Sequence, residues 1–336
     1  MNTTSIENSL SILVTGGCGF IGKCLIERLA IQNRHYIRVL DNLSVGSLED
    51  LSSCVNVNVI KQEACLSSFS KKNPNVDLLV GDIRDPETTL MAAKGIDVII
   101  HLAANTGVNP SVQDPRSDMV SNVIGTFNML EAARNNSVSK FIFASSGAPV
   151  GECNPPIHEE LAAHPVSPYG ASKLAGEGYC SAYYRTFGIK TIALRFGNVY
   201  GPGSGHKSSV IAKFIRQVIL GRECEIYGDG SQTRDFIYIE DLVNAIIKAM
   251  IVDIGGEIFQ IATNKEHTIN EVVEILKTQL ENFGKNMKIR YGNTRLGDVR
   301  RNYSDTSKAF DLIDWKATTS LEEGILKTII TFFEGK

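Results

Sequence analysis

SILVTGGCGFIG, residues 11–22, passes from a short apolar, β-branched run into a cluster of glycines and then into a helical pattern over 20–32. Gly16, Gly19 and Gly22 recur at every third residue across that junction. A strand that turns on glycine into a helix lets the backbone approach a pyrophosphate, because N–H groups and the positive end of the helix dipole converge there. Phe20 and Ile21 open the helix and belong to the same candidate cradle. Glycines alone say little, since tight packing of a helix on a strand also demands them. The second feature is distance. Asp41 closes the next apolar run, YIRVLD, 19 residues after Gly22, where an acid can bond both hydroxyls of a ribose. A carboxylate there repels a 2′-phosphate. The NLSVG that follows, beginning with Asn42, holds no arginine to receive one, so the pattern favours NAD over NADP.

The rhythm continues outward from this stretch. VDLLVGD (76–82), DVIIHLAA (97–104), KFIFASS (140–146) and KTIALRF (190–196) are short runs, nearly continuous in apolar character, as strands buried on both faces require. The segments at 20–32, 116–136 and 168–187 are long enough for crossover helices. This βαβ alternation predicts an α/β fold, a Rossmann-type doubly wound parallel sheet. Asp82, in GDIRD, ends a strand on the same sheet edge and is placed to reach an adenine; as an exposed loop acid it would be ordinary. After residue 197 the texture loosens into Gly-rich loops, with helical stretches expected at 207–221, 239–252, 268–282 and 320–333. Residues 1–196 with about 232–262 are therefore expected to form the dinucleotide-binding domain. About 197–231 with 263–336 are expected to form a smaller, mixed α/β substrate-binding lobe. Residues 61–75 read as a polar loop with no legible course.

Composition narrows the function classes. The 336 residues are 43% hydrophobic and 21% charged, ordinary for a globular protein and too apolar for disorder. A formal charge of -3 provides no general cationic surface for nucleic acid or anionic lipid. Seven cysteines are scattered and never spaced Cys-x-x-Cys, which fits reduced thiols better than a disulfide or zinc framework. The six histidines show no metal-ligand spacing, and His101, ending an apolar run, reads as a satisfied core residue. No metal is expected. The opening MNTTSIENSL lacks a basic segment followed by an apolar run, and no stretch reaches the ~18 apolar residues of a membrane span. The expectation is a cytoplasmic protein.

A second stretch, SPYGASK (167–173), carries a possible reaction. Pro168 suits a helix start, and Tyr169 and Lys173, four residues apart, share one helical face. Taken alone, the pair is one turn of an ordinary helix surface. Ser146, however, ends the neighbouring strand at the carboxyl edge, where open α/β sheets bind ligands. A free tyrosine near pKa ~10 is a poor base at neutral pH, and lowering it by about three units requires roughly 4 kcal/mol. An ammonium at about 5 Å in an effective dielectric near 20 contributes roughly 3 kcal/mol, and the positive nicotinamide ring adds to it. Lys173 is thus expected to lower the Tyr169 pKa.

The Gly-x-x-Gly-x-x-Gly spacing, DNLSVG, GDIRD, HLAA, Asn122 in NVIGT, Ser145-Ser146, YGASK, RFGNVYGPG and GDGSQTRDFIYIEDL occur in order from residue 12 to about 315. Together they resemble the extended short-chain dehydrogenase/reductase family, in its nucleotide-sugar epimerase/dehydratase branch and most like its UDP-hexose 4-epimerases. The resemblance implies that Ser146 holds a substrate hydroxyl, Tyr169 removes its proton and Lys173 also holds the nicotinamide ribose. It adds Asn42, Ile83, Ala103, Ala104 and Asn122 to the cofactor site. It implies a nucleotide-sugar site in which Arg234 and Arg295 grip the diphosphate, as guanidinium forks can. Asn198 would contact the sugar-nucleotide phosphates, Asp298 the nucleotide ribose and Tyr227 the base, although Tyr227 reads equally as a core aromatic.

Asn302 aligns with a position that helps admit or exclude an N-acetyl group at C2. Asparagine is intermediate in size there, so UDP-glucose/UDP-galactose and UDP-GlcNAc/UDP-GalNAc both remain open. UDP-glucuronate is a third candidate, with Arg300, Arg301 or Lys207 to meet its carboxylate. Dehydratases and decarboxylases of the branch place acids after the serine, where this chain has Gly147 and Ala148. Without them the expected outcome is C4 epimerisation through a transient 4-keto sugar, with NAD recycled in each turnover. Val150 departs from the tyrosine usual before the following glycine, and Pro149 stiffens the same turn. The helices at 116–136 and 168–187 resemble those that pair relatives into homodimers. A non-catalytic NAD-binding protein is the alternative from another class.

Overall fold

The computed structural model describes residues 9–66, 76–205, 209–294 and 299–334. The chain divides into two compact units. The first comprises 1–151, 162–195 and 246–259, and the second 152–161, 196–245 and 260–336. Residues 232–245 therefore group with the second unit, where the sequence suggests the first, and the segment 152–161 joins them.

The first unit opens with β1 (Ser11–Thr15), α1 (Phe20–Ile31), β2 (Tyr36–Asp41), the short α2 (Leu48–Ser52), β3 (Val57–Ile60) and β4 (Val76–Val80). It continues through α3 (Pro86–Ala92), β5 (Val98–His101), α4 (Val108–Gln113), α5 (Pro115–Met119), α6 (Gly125–Asn135), β6 (Lys140–Ser146), α7 (Pro168–Phe187) and β7 (Lys190–Phe196). With the later β12 (Glu257–Ile261) these strands form one eight-stranded sheet in the order β12-β7-β6-β5-β1-β2-β4-β3. Strand β1 pairs in parallel with both β2 and β5, so the winding reverses at its carboxyl end. Ile12, Leu13, Val14, Val39, Leu40, Ile99 and Ile100 are sealed from solvent, as a sheet covered on both faces demands. Burying each such side chain contributes about 1.5–3 kcal/mol.

Two elements escape the sequence pattern. β3 is a four-residue edge strand on β4 with a mostly exposed burial pattern, so no apolar run announces it. The expected helix over 116–136 is α5 and α6 joined by a π-helical turn, Val120–Ile124. Such wide turns gather at functional sites, and this one carries Asn122. Residues 67–75, most of the stretch without a legible course, lie outside the described residues.

The second unit holds β8 (Asn198–Tyr200), α8 (Val210–Ile219), β9 (Cys224–Tyr227), β10 (Thr233–Arg234) and β11 (Phe236–Tyr238), then α9 (Ile239–Ile251), within which the division falls. After β12 come β13 (His267–Thr268), α10 (Ile269–Glu281), β14 (Ile289–Gly292), α11 (Ser307–Ile313) and α12 (Leu321–Glu334). Its strands pair two by two: β8 with β11, β9 with β14, and β10 with β13. A capping box of Thr268 and Glu271 starts α10. Buried Trp315 donates its indole N–H to the Asp241 carbonyl at 3.0 Å.

Candidate active site

The glycines after β1 sit at the sheet's switch point. Gly16 has φ +69°, and a Cβ on it would come within 2.8 Å of the Ala103 backbone nitrogen beyond β5. Only glycine fits. A Cβ on Gly22 would meet the Gly16 carbonyl oxygen at 2.4 Å, whereas the Cβ position of Gly19 is nearly open, with one neighbour at 3.3 Å. Gly19 caps α1 without a side-chain hydrogen bond, and no acid stands in the first turn. The helix therefore presents its N-terminus over an open glycine face, which suits the diphosphate of a dinucleotide.

Asp41 ends β2 against this loop. One carboxylate oxygen accepts the Cys18 N–H at 2.9 Å and the other the Leu43 N–H at 2.8 Å. Burial pushes its pKa up and those two backbone donors pull it down. Asp82 is more heavily engaged: Arg84 grips both its oxygens at 2.9 and 2.7 Å, and the Asn42 amide donates to it at 3.0 Å. The Arg84 fork lowers the Asp82 carboxyl to about 2. Asp82 and Asn42 thus tie the loops after β4 and β2 together. Ile83 is buried and packs on α6, where a Cβ on Gly125 would come 2.6 Å from its Cδ1.

His101 anchors the loop beyond β5. The Ala103 N–H donates to the Thr15 hydroxyl at 3.2 Å, and Thr15 Oγ1 lies 2.7 Å from His101 Nδ1. On the other side Nε2 is 3.1 Å from Thr126 Oγ1, which donates to the Asn122 carbonyl at 2.6 Å. Each hydroxyl has one proton, so the chain of bonds assigns the hydrogen to Nε2 and leaves Nδ1 as acceptor. Burial pushes the imidazole down to about 3, helped by the nearby Lys173 charge, so it is neutral. His101 is a fully bonded core residue.

Ser146 closes β6, and α7 begins opposite it. Ser167 caps α7 by accepting the Gly170 N–H at 3.1 Å, and Pro168 occupies the first turn. The Tyr169 hydroxyl is hydrogen-bonded to Ser146, whose own oxygen accepts the Ala148 N–H at 3.2 Å. One turn on, the Lys173 ammonium lies 5.9 Å from the Tyr169 ring centre and 5.0 Å from that of Phe143. It donates to the Ala144 carbonyl at 2.8 Å. Serine, tyrosine and lysine thus come together at the carboxyl edge.

Their ionisation departs from the expected simple pairing. Burial raises the Tyr169 hydroxyl to about 12; the Ser146 bond lowers it and the Asp118 charge raises it. Burial also lowers Lys173 to about 8, against the opposing pull of Asp118 and Glu177. Desolvation dominates and Lys173 is not among the groups that shift the Tyr169 hydroxyl, so the protein's own charges do not supply the expected lowering there. The positive nicotinamide ring of bound NAD supplies a charge of the needed sign.

Glu177 and Arg195, which brace this edge, were not singled out by the sequence. Glu177, four residues after Lys173, is buried and gripped by both arms of Arg195 at 2.8 Å each. The same carboxylate accepts the Ser145 hydroxyl at 2.6 Å. The spacing Tyr169, Lys173, Glu177 on one helical stripe is the signal that marks it. Asn122 accepts the Asn105 N–H at 2.8 Å and donates to the Asn105 carbonyl at 2.9 Å and Asp118 Oδ1 at 3.0 Å. Its amide is bonded to protein groups and ties the loop after β5 to α5. Val150 is buried, and the turn around it is closed by Val150 N–H to the Gly147 carbonyl at 3.3 Å and Gly151 N–H to the Ala148 carbonyl at 3.2 Å. Beside Gly147 the space within 4 Å of a Cβ is empty.

The second unit contains a cavity of about 250 Å³ lined by Asn198, Lys213, Tyr227, Gln232 and Arg234 among others. β8, α8, β9 and β10 bring them together. Arg234 donates to the Thr233 and Val299 carbonyls at 2.7 Å each, which holds its guanidinium in place. Asn198 donates both its backbone and its side-chain N–H to the Asp235 carbonyl, at 2.9 and 3.2 Å. The Lys213 ammonium stands 5.1 Å from the Tyr227 ring centre. Lys213 had no distinguishing spacing in the sequence. Asn302 is anchored beside β10 by its N–H to Thr233 Oγ1 at 3.3 Å. Arg301 is paired with Glu266 through a contact of 3.1 Å at Nε. Arg295, Asp298 and Lys207 lie outside the described residues.

A switch-point glycine loop and a serine–tyrosine–lysine edge on one parallel sheet define a Rossmann-type enzyme that works with a bound dinucleotide. Residues 12–262 match the NAD dependent epimerase/dehydratase family, and the chain belongs to it; NAD is its cofactor. The UDP-glucose 4-epimerase of Mycolicibacterium smegmatis is 35% identical over 329 residues, covering 96% of this chain and 98% of that one. The structure of the Thermotoga maritima UDP-glucose 4-epimerase with UDP-glucose is similar with a TM-score of 0.85 at 34% identity, covering 97% of this chain and 99% of that one. The UDP-N-acetylglucosamine 4-epimerase of Methanobrevibacter ruminantium, in complex with UDP-N-acetylmuramic acid, gives 0.86 at 31% identity, with 98% and 100% covered.

Proposed function

We propose that this enzyme interconverts UDP-hexoses by epimerisation at C4. The observation that carries the reading is the meeting of Ser146, Tyr169 and Lys173 at a strand end followed by Gly147 and Ala148, where neither residue is a carboxylate. Ser146 holds the C4 hydroxyl beside Tyr169, and the phenolate takes its proton. When bound, NAD takes up the C4 hydride and returns it, and its positive ring favours the phenolate. Lys173 holds the nicotinamide ribose. The 4-keto sugar turns over in its site so that its other face takes the hydride, which inverts C4, and Tyr169 returns the proton to the oxygen. The proton and the electron pair both end where they began, so no co-substrate is consumed.

Arg234 and Asn198 are assigned to the diphosphate and Tyr227 to the base, with Lys213 beside it. Arg295 and Asp298 keep their roles from the family pattern. At C2, Asn302 leaves both UDP-glucose/UDP-galactose and UDP-GlcNAc/UDP-GalNAc as substrates. UDP-glucuronate is less favoured because Glu266 already occupies Arg301. The homodimer reading rests on apolar side chains exposed along α5 to α7: Met119, Ile124, Tyr179 and Phe187 are 40–49% exposed. Among the described residues no helix is long and apolar enough to cross a membrane, and we assign the enzyme to the cytoplasm.

Purified protein incubated with a panel of UDP-sugars and resolved by anion exchange should give isomers of unchanged mass. Loss of water or carbon dioxide would select a 4,6-dehydratase or decarboxylase instead. Retained NAD with no turnover of any sugar in the panel would select a non-catalytic binder.

A further inference from the structure

One buried carboxylate stands beside the reacting pair without a role in the scheme above. Asp118, on α5, is 2% exposed. Its Oδ1 accepts the Asn122 amide at 3.0 Å, and Ser172, next to Lys173 on α7, stands against the same carboxylate while its hydroxyl donates to the Tyr169 carbonyl at 3.0 Å. Its Oδ2 is buried with no hydrogen-bond donor. Burial pushes the Asp118 carboxyl up, and the nearby Lys173 charge pulls it back down.

The surroundings of Lys173 single out Asp118. From α7 it faces Tyr169, Glu177 and Cys180, from β5 the neutral His101, from β6 the Phe143 ring and the Ala144 carbonyl, and from α5 Asp118. Glu177 is already neutralised by the two-armed grip of Arg195. Asp118 is met by a neutral amide and a hydroxyl. Among the described residues, its charge is the one left to balance the buried ammonium.

We propose that Asp118 is a positioning residue, the buried counter-charge that keeps Lys173 an ammonium and, by its own charge beside Tyr169, sets the pH window of proton transfer there. The proposal rests on the assignment of Tyr169 as the base. It has a two-sided consequence. Removing a negative charge makes the phenolate easier to form and the ammonium harder to keep, so both ionisations move toward lower pH together. A substitution that merely loosened packing would lower activity without moving them in concert.

The test is a spectrophotometric titration of the NAD-loaded enzyme near 295 nm, with Tyr169→Phe subtracted to isolate that one phenolate. Asp118→Asn should shift the Tyr169 transition down by about one pH unit. Both limbs of the pH–rate profile should move acidward with it, and Asp118→Glu, which keeps the charge, should restore the wild-type curve. Superimposable titrations of wild type and Asp118→Asn overturn the proposal while leaving Tyr169 as the base. Absence of a Tyr169 signal in the wild type, together with an active Tyr169→Phe, overturns both. Where Asp118→Asn does not fold, Asp118→Ser carries the same expectation and the same refutation.

Discussion

Around Lys173 the polar groups are interior ones: Asn122, Ser145, Lys173, Glu177 and Arg195 are each at most 4% exposed and bonded to other protein groups. Around Arg234 they are half-buried, and Asn198, Lys213, Tyr227 and Gln232 keep part of their surface open. The first arrangement fixes atoms whose placement decides a reaction, because in low dielectric each misplaced or unpaired group is costly. The second leaves side chains able to adapt to a ligand. On the reading proposed above, chemistry is set in the interior of the first unit and selectivity among ligands is left to the more open cavity in the second.

That contrast can be broken most decisively at Tyr169. Tyr169→Phe should reduce turnover by about a thousandfold while NAD stays bound; an active Phe variant removes the base from the scheme. Glu177→Ala strands the Arg195 guanidinium in the core and should cost about 3–5 kcal/mol of stability in urea unfolding. A loss under about 1 kcal/mol would show the interior network to be as forgiving as the cavity.

His101 offers a sharper, pH-dependent reading. Its folded pKa of about 3 lies below the ordinary 6.5 of an unfolded imidazole. The unfolded chain therefore binds the extra proton between those values, so stability is full above 6.5 and falls as pH drops toward 3. At pH 4.5 the loss from this one group should be about 2–3 kcal/mol relative to pH 7. His101→Gln should flatten that part of the profile, and an unchanged slope would locate the acid sensitivity elsewhere.

The smallest effect is expected at the cavity. Lys213→Met should raise KM for the UDP-sugar a few-fold and leave kcat within about twofold, since a half-exposed cation contributes around 1 kcal/mol or less. A large fall in kcat would mean that the adaptable region also shapes the reaction.

How much of this was legible varies with the kind of signal. The strand–glycine–helix junction at 11–22 and the acid at 41 announce themselves, because backbone approach and ribose bonding demand those residues at that spacing. Tyr169, Lys173 and Glu177 share a helical stripe, although only the first two carry a familiar motif. Asp118 and Lys213 had no such signal. Each acquires meaning from neighbours far along the chain, as Asp118 does from Lys173, and no local pattern encodes that proximity. The same holds for β3, whose pairing with β4 and not its own composition makes it a strand.

By itself, then, the amino-acid order determined the alternation of strands and helices and the glycine loop of the dinucleotide cradle, which follow from periodicity and fixed spacing along one segment. The proposed reacting trio of Ser146, Tyr169 and Lys173 rests on a family resemblance carried by motifs along the whole chain. The tertiary structure alone decided the charge balance at that trio. Burial shifts a phenol upward and an amine downward, and its extent, like the placement of Asp118 and Arg195, exists only once distant segments have packed together.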